Sequence, residues 1–257
     1  MKRKPLVGIC MKLYKNVSND MIDYATHLKE SFQSPETVDV FLLPSMGTLH
    51  PVADALKNSS ILYGSQNMAH IKNGALTGEF SIESLLELGG TLVELGHYER
   101  RTFLHETHDL INQKVRLALS HGVSPIICIG EPEGLDEEAA TAHLMDQIES
   151  ALNGCEPSSL TSAILAYEPY WAIGQAEAAS PLHVHRMHNL IRGILTDLYN
   201  KETAQGIRMI YGGSVSKDSA GDILNHDDVD GVFVGRFGHD VNQFMEIVRL
   251  VKDSKPN

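Results

Sequence analysis

A glutamate at the end of an apolar run is the residue best placed for chemistry in this sequence. The run 163–167 ends at Glu168, which is followed by Pro169 and by Trp171, the single tryptophan. A carboxylate at the mouth of a buried strand is partly desolvated, which suits a general base. Gly174 and a series of small residues come next, a composition typical of a hinged lid that excludes water from a reacting intermediate. The alternative is an ordinary surface loop with a buried tryptophan.

Other polar or glycine residues also follow short apolar runs. They are Lys12, 66–67, 96–101, 130–131, 212–214 and 235–236. A lone lysine is usually a solvated residue, and a lone histidine is usually a packing residue. The prediction of a site depends instead on the fact that all of these residues directly follow apolar runs. The glycines at 212–213 and 235 would let the backbone approach an anion closely, as in phosphate sites, although two ordinary tight turns are the alternative.

The elements that must position these residues alternate regularly. Eight apolar runs predict strands at 6–11, 38–43, 61–65, 92–95, 125–129, 163–167, 208–211 and 231–234. Apolar residues at helical spacing predict helices at 106–119, 181–199 and 241–251. Eight strand–helix units favour an α/β fold, a single-domain (β/α)8 TIM barrel over residues 1–257, with a doubly wound open sheet as the alternative. In such a barrel the residues after the strands share one rim, where active sites form.

Bulk composition limits the partners and the compartment. The chain has 257 residues, is 42% hydrophobic and carries a net charge of −12, which argues against a nucleic-acid surface. No apolar run is long enough to cross a bilayer or to act as a signal peptide. Three cysteines form a sparse, odd set that is typical of a reducing compartment, and we expect the protein to be cytoplasmic.

Six segments, in order and at matching spacing, resemble the triosephosphate isomerase family. They are 66–67, 73–79, 95–101, 128–131, 166–174 and 211–215. The resemblance implies a (β/α)8 barrel that interconverts a phosphorylated ketose and aldose through an enediolate, with no metal and no organic cofactor. It also implies a homodimer, in which the loop 66–79 docks against the neighbouring subunit.

The resemblance also implies roles for individual residues. Glu168 is expected to move a proton between adjacent carbons, and His97 to polarise the carbonyl as a neutral imidazole. Lys12 would stabilise negative charge, with Glu99 anchoring it. The residues expected to bind the phosphate through backbone N–H groups are Gly174, Ser214, Gly235 and Arg236. Tyr211 is expected to fasten the closed lid, and Cys128 to pack behind the base.

The sequence departs from the family pattern at residues that are expected to surround the substrate. Cys10 replaces the asparagine that reaches the substrate in the family, and Tyr98 replaces a serine beside the catalytic histidine. The lid continues 174–178 as Gly-Gln-Ala-Glu-Ala, and Arg236 replaces the second glycine of the last phosphate turn. These changes are similar to those of the branch that isomerises an erythrulose phosphate, which we favour. Isomerisation of dihydroxyacetone phosphate and glyceraldehyde 3-phosphate, as in glycolysis and gluconeogenesis, is the alternative.

Two other classes of protein are weighed against an isomerase. A catalytically inactive phosphosugar-binding barrel has no need of the titratable set Lys12, His97, Glu99 and Glu168. A metal-dependent isomerase or aldolase needs a cluster of ligands at strand ends. The nearest candidates are His183, His185 and His188, which fall in a predicted helix after the lid and which we interpret as surface or packing residues.

Overall fold

The computed structural model describes residues 3–255 and contains a closed barrel of eight parallel strands. The strands are β1 (Leu6–Cys10), β2 (Asp39–Leu43), β3 (Leu62–Ser65), β4 (Leu92–Leu95), β5 (Ser124–Ile129), β6 (Ile164–Tyr167), β7 (Arg208–Gly212) and β8 (Gly231–Val234). Each strand pairs with the next, and β8 pairs with β1. The predicted fold class is therefore confirmed and the doubly wound sheet is excluded. No predicted strand end differs from the observed one by more than one residue.

Side chains on each strand point alternately into the barrel and out toward the helices. On β4, Val93 and Leu95 belong to the core between sheet and helices, whereas Leu92 belongs to the core inside the barrel. Because both faces are covered, the strands are nearly continuous in apolar character. One exception is Glu94, which alternation places on the inward face with Leu92.

Helices surround the barrel and connect its strands. They are α1 (Ser18–Ser31), α2 (Leu49–Ala55), α3 (Ile82–Glu87), α4 (Tyr98–Phe103), α5 (His108–Ser120), α6 (Glu137–Leu152), α7 (Pro157–Leu160), α8 (Pro181–Leu198), α9 (Lys201–Gly206), α10 (Lys217–Leu224) and α11 (Val241–Ser254). Short 3-10 turns occupy Met46–Thr48, Tyr170–Ala172 and Arg236–Gly238. Over residues 3–255, every helix is too short or too polar to cross a membrane.

Capping side chains fix the helix ends more sharply than apolar spacing does. The prediction started α5 at Glu106, but the helix starts at His108 because the Thr107 side chain accepts a hydrogen bond from the Leu110 N–H. Glu106 lies outside the helix and forms a buried ion pair with Lys114. By contrast, α8 starts at Pro181 as predicted, since proline suits the first turn of a helix.

A fully buried histidine, His188 of α8, couples the stability of the fold to pH. Its Nδ1–H donates to the Val184 carbonyl at 2.9 Å, and its ring packs edge-on against Tyr167 with centroids 5.6 Å apart. Burial penalises the imidazolium and lowers the pKa of His188 to about 3.

We expect His188 to make the folded protein less stable as the pH falls from about 6.5 toward 3. In that range the unfolded chain binds a proton that the native chain does not, so protons favour unfolding. His188→Gln should flatten the decline in the free energy of unfolding by up to about 1.4 kcal/mol per pH unit. Urea unfolding at several pH values measures this difference. His27→Gln, at an exposed position of α1, is the control. Equal slopes for wild type and His188→Gln would contradict the assignment.

Candidate active site

All nine residues singled out for the site line a single cavity at the carboxyl ends of the strands. The lining includes Cys10, Lys12, His97, Glu99, Glu168, Gly174, Ser214, Gly235 and Arg236, together with Glu94, Ile173 and Gly213. These residues lie at the ends of β1 and β4 or in the segments that follow β1, β4, β6, β7 and β8. The barrel closes these distant parts of the chain onto one rim, as expected for the fold.

Glu168 lies where the sequence predicts it, directly after β6. Its N–H donates to the Ile129 carbonyl at 2.8 Å, which extends the β5–β6 pairing by one residue. Its carboxylate is only 6% exposed. Only glycine fits at the neighbouring position 212, because a Cβ on Gly212 would lie 2.6 Å from Glu168 Oε1. The result is a carboxylate held in one orientation and largely shielded from water.

His97 faces Glu168 from the end of β4, and the turn that starts α4 fixes its tautomer. The Glu99 N–H donates to His97 Nδ1 at 3.1 Å, so Nδ1 acts as an acceptor and carries no proton. The ring proton is therefore on Nε2, which lies 3.1 Å from Glu168 Oε2. This places an N–H donor and a carboxylate acceptor side by side in the cavity.

The protonation of His97 depends on that contact. Burial by itself lowers the pKa of His97, but the facing Glu168 carboxylate, with a smaller contribution from Glu94, raises it above the ordinary value. A substrate inserted between the two groups would weaken the carboxylate's influence. Burial and the N–H bond at Nδ1 would then remain, and both favour the neutral imidazole.

Lys12 is held against the same pair by a strained backbone. Its φ is +47°, an uncommon value for a residue with a side chain. Gln66 stabilises this conformation, because its Nε2 donates to the Lys12 carbonyl at 3.0 Å and to the Leu43 carbonyl at 3.2 Å. The ammonium lies 2.6 Å from Glu99 Oε1 and 3.3 Å from His97 Nε2. Burial lowers the pKa of Lys12, but its anionic neighbourhood raises it above the ordinary value, so the side chain stays charged.

Backbone conformation shapes the opposite side of the cavity, where the phosphate is expected. Gly213 and Ser214 have positive φ angles of 128° and 55°. A Cβ on Gly213 would lie 2.8 Å from Tyr211 Oη, so no side chain fits there. This brings bare backbone to the cavity wall, as an anion site requires. The Gly235 turn lies beside it.

The lid, residues 169–179, lies over that side. Its tip is exposed, and its C-terminal end is fastened because the Ala179 N–H donates to Tyr211 Oη at 2.9 Å. Tyr211 in turn donates to the Gly213 carbonyl at 3.0 Å. The Arg236 guanidinium donates to the Gln175 carbonyl at the lid tip. Arg236 therefore lines the cavity, and its side chain also contacts the lid.

The three histidines considered as metal ligands on α8 have separate neighbours. His183 Nε2 lies 2.9 Å from the Tyr167 hydroxyl, His185 Nε2 donates to the Ile223 carbonyl at 3.0 Å, and His188 is buried as described above. Between residues 3 and 255 there is no group of three or more His, Cys, Asp or Glu side chains that could hold a metal ion. The contacts of the three histidines fit the packing role expected from the sequence.

Glu94 lines the cavity although the sequence prediction did not single it out. It is 3% exposed and lies three residues before His97 on β4. The available signal was a lone carboxylate in the apolar strand Leu-Val-Glu-Leu. Charged residues are almost never fully buried unless they are paired, so such a position points to a function.

Comparison with known proteins agrees with this geometry. The family model described as triosephosphate isomerase matches residues 5–251. Triosephosphate isomerase 2 of Listeria innocua is 42% identical over 98% of this chain and 99% of its own length. Triosephosphate isomerase of Carboxydothermus hydrogenoformans is 36% identical over 96% of this chain and 98% of its own length. The protein therefore belongs to the triosephosphate isomerase family of aldose–ketose isomerases.

Proposed function

We propose that the protein interconverts dihydroxyacetone phosphate and glyceraldehyde 3-phosphate through an enediolate. The observation that carries this proposal is the 3.1 Å contact between Glu168 Oε2 and His97 Nε2 inside the cavity. Such a pair can take a proton from carbon and stabilise the oxygen that becomes negative. The names of the relatives support the triose phosphates as the substrate class.

In the proposed mechanism the Glu168 carboxylate removes a proton from the carbon next to the carbonyl. The electrons of that C–H bond form the carbon–carbon double bond of the enediolate, and the carbonyl oxygen receives the negative charge. After a proton moves between the two oxygens, Glu168 returns a proton to the neighbouring carbon. The carbonyl then lies one carbon further along, and the enzyme is regenerated without an added redox partner.

His97 and Lys12 stabilise the negative oxygen in this mechanism. The Nε2–H of His97 donates to the oxygen, and its strength as a donor matters most when the charge is greatest. The Lys12 ammonium, 3.3 Å from the same nitrogen, adds a fixed positive charge. Glu99, at 2.6 Å, holds Lys12 in place before the substrate binds.

The phosphate is proposed to bind at the backbone of Gly174, Ser214 and Gly235, across the cavity from His97. Arg236 joins that turn to the lid through its contact with the Gln175 carbonyl. Binding of the phosphate would therefore favour the closed lid and keep water from the enediolate.

Glu168→Gln should lower kcat by about 100- to 10,000-fold, because the amide cannot take the proton. A coupled spectrophotometric assay of dihydroxyacetone phosphate formation measures this loss. The matched control is Glu133→Gln, an exposed glutamate beyond β5, which should keep full activity. A Glu168→Gln enzyme with more than a tenth of the wild-type kcat would show that another group is the base.

An erythrulose phosphate is a second candidate substrate, supported by the cavity wall at Cys10. This residue stands where the family has an asparagine that reaches the substrate, and its side chain lines the cavity. Burial raises the pKa of Cys10 well above the ordinary value, so it is a neutral thiol, smaller and more weakly hydrogen-bonding than an amide. The freed space suits a substrate with one more carbon.

Cys10→Asn should move the specificity toward the triose. The tetrulose candidate predicts a higher kcat/KM for an erythrulose phosphate than for dihydroxyacetone phosphate in the wild type. Substitution by asparagine should then shift the ratio by about 10- to 100-fold toward the triose phosphate. Steady-state kinetics with both sugar phosphates measure the ratio. If the wild type prefers dihydroxyacetone phosphate, the erythrulose phosphate candidate is wrong.

We also propose a homodimer, supported by large apolar side chains exposed in two segments, one that follows Lys12 and one at the end of α4. They are Leu13, Tyr14, Val17, Phe103 and Leu104. Leu13 and Leu104 line one groove together with Lys12, Gln66 and Asn67. Exposed apolar patches of this kind mark interaction sites, and this one joins the active site to the loop 66–79.

Charges introduced into this patch should separate the subunits. Light scattering after gel filtration should give about twice the chain mass of 28.3 kDa for the wild type. The double variant Phe103→Asp, Leu104→Asp should elute as a monomer. Leu182→Asp changes an equally exposed leucine on α8 and should remain a dimer. A monomeric wild type would overturn the proposal.

The cytoplasm is the compartment that we propose. Cys10, Cys128 and Cys155 are all free thiols, and free thiols persist in reducing compartments.

A further inference from the structure

Glu94 is a buried carboxyl group that the mechanism above does not use. It lies on the inward face of β4, and it lines the cavity beside Cys10 and His97. Glu168 and Glu99 each contact His97 or Lys12 directly, whereas Glu94 has no ion pair among residues 3–255. The site therefore holds a third carboxyl group without an assigned partner.

The hydrogen bonds available to Glu94 within the protein are weak. In the part of the chain that the structure describes, its one hydrogen bond comes from Cys128 Sγ, 3.9 Å from Oε1. The Cys10 thiol is its other polar neighbour of this kind. Thiols are weak donors, so the carboxyl group keeps unused capacity to bind a stronger donor. Burial raises the pKa of Glu94, and this raised pKa reflects the same lack of solvation.

The surrounding positions would accept an apolar side chain. The interior of the barrel is built from residues such as Leu92, Ile126 and Ile164. A carboxyl group there costs free energy unless it is hydrogen-bonded, since buried polar groups need partners. Glu94 lines the cavity, so a ligand in the cavity can donate the missing hydrogen bond.

The position of Glu94 identifies which part of a ligand would reach it. The expected phosphate site is built after β6, β7 and β8, and β4 lies four strands from β8 in a barrel of eight. A substrate anchored by its phosphate there passes Glu168 and His97 and ends near Glu94 and Cys10. Glu94 thus faces the end of the substrate that is remote from the phosphate.

We propose that Glu94 is a specificity-determining residue that binds a substrate hydroxyl group which takes no part in the proton transfer. Dihydroxyacetone phosphate has no such hydroxyl, because both of its oxygens outside the phosphate react. Erythrulose 1-phosphate has one on C4, at the end remote from its phosphate, and Cys10 leaves room for it. This inference rests on the proposed enediolate isomerase and adds a tetrulose phosphate to the substrates that its site would accept.

The test compares wild type, Glu94→Gln and Glu94→Leu on dihydroxyacetone phosphate and on erythrulose 1-phosphate. Glu94→Leu matches the apolar neighbours and should lower the ratio of the two kcat/KM values by about 10- to 100-fold against the erythrulose phosphate. Most of that change should appear in KM, because the hydroxyl is bound equally before and during the reaction. Glu94→Gln keeps a carbonyl acceptor and should give an intermediate ratio. Glu133→Gln should leave the ratio unchanged.

Inhibitor binding gives a second measurement that does not depend on turnover. By calorimetry, erythritol 4-phosphate should bind the wild type more tightly than glycerol 3-phosphate, and Glu94→Gln should reduce this difference. Equal losses for both ligands would show that Glu94 is only structural and would overturn the proposal. A wild type that turns over both sugars, with a ratio that Glu94 does not affect, rejects this inference alone. A wild type that turns over neither rejects the proposed isomerase itself.

Discussion

The arrangement of this molecule depends on one contact, in which the buried Glu168 carboxylate and a His97 ring nitrogen meet at 3.1 Å inside a cavity. In water the two groups would be separated and solvated. Here β4 and β6 lie on either side of β5, and register holds Glu168 and His97 at the ends of their strands. Preorganisation of this kind places donor and acceptor before the substrate arrives, so little reorganisation accompanies the reaction.

Several local features serve that contact. Gly212 leaves space for the Glu168 carboxylate, and the first N–H groups of α4 fix the tautomer of His97. The left-handed backbone at Lys12 brings a cation to the same point, and Gln66 holds that backbone. Strain and buried charge lower stability, and their concentration around one cavity is typical of a functional site. The apolar layers on both sides of the sheet supply the stability that this arrangement needs.

The sequence predicted the barrel well because its signal is repeated eight times. Strands covered on both faces are continuous apolar runs, and their ends agree with the structure to within one residue. The nine residues predicted for the site line one cavity, because they lie at or after strand ends and the closed barrel brings those ends to one rim. Their roles stay predictions. Helix starts were harder, because a cap such as Thr107 is a local hydrogen bond that apolar spacing does not report.

Two features of the site could not be predicted from the pattern along the chain. Glu94 lies within a short apolar strand rather than after one, and only the closure of the barrel brings it to the cavity. The contact of Arg236 with the lid joins residues 61 positions apart in sequence, so it depends on tertiary placement. Both residues lie at the cavity but are brought there by tertiary structure, so the spacing of residues along the chain does not predict their contacts.

The central claim is that Glu168 moves a proton between adjacent carbons while His97 stabilises the oxygen. The most direct measurement is NMR spectroscopy of the isomerisation in D2O. Because a carboxylic acid exchanges its proton with solvent, the account predicts deuterium on the carbon that receives the proton in the product. A wild-type product that carries no deuterium, formed at a rate that Glu168→Gln does not lower, would contradict the account.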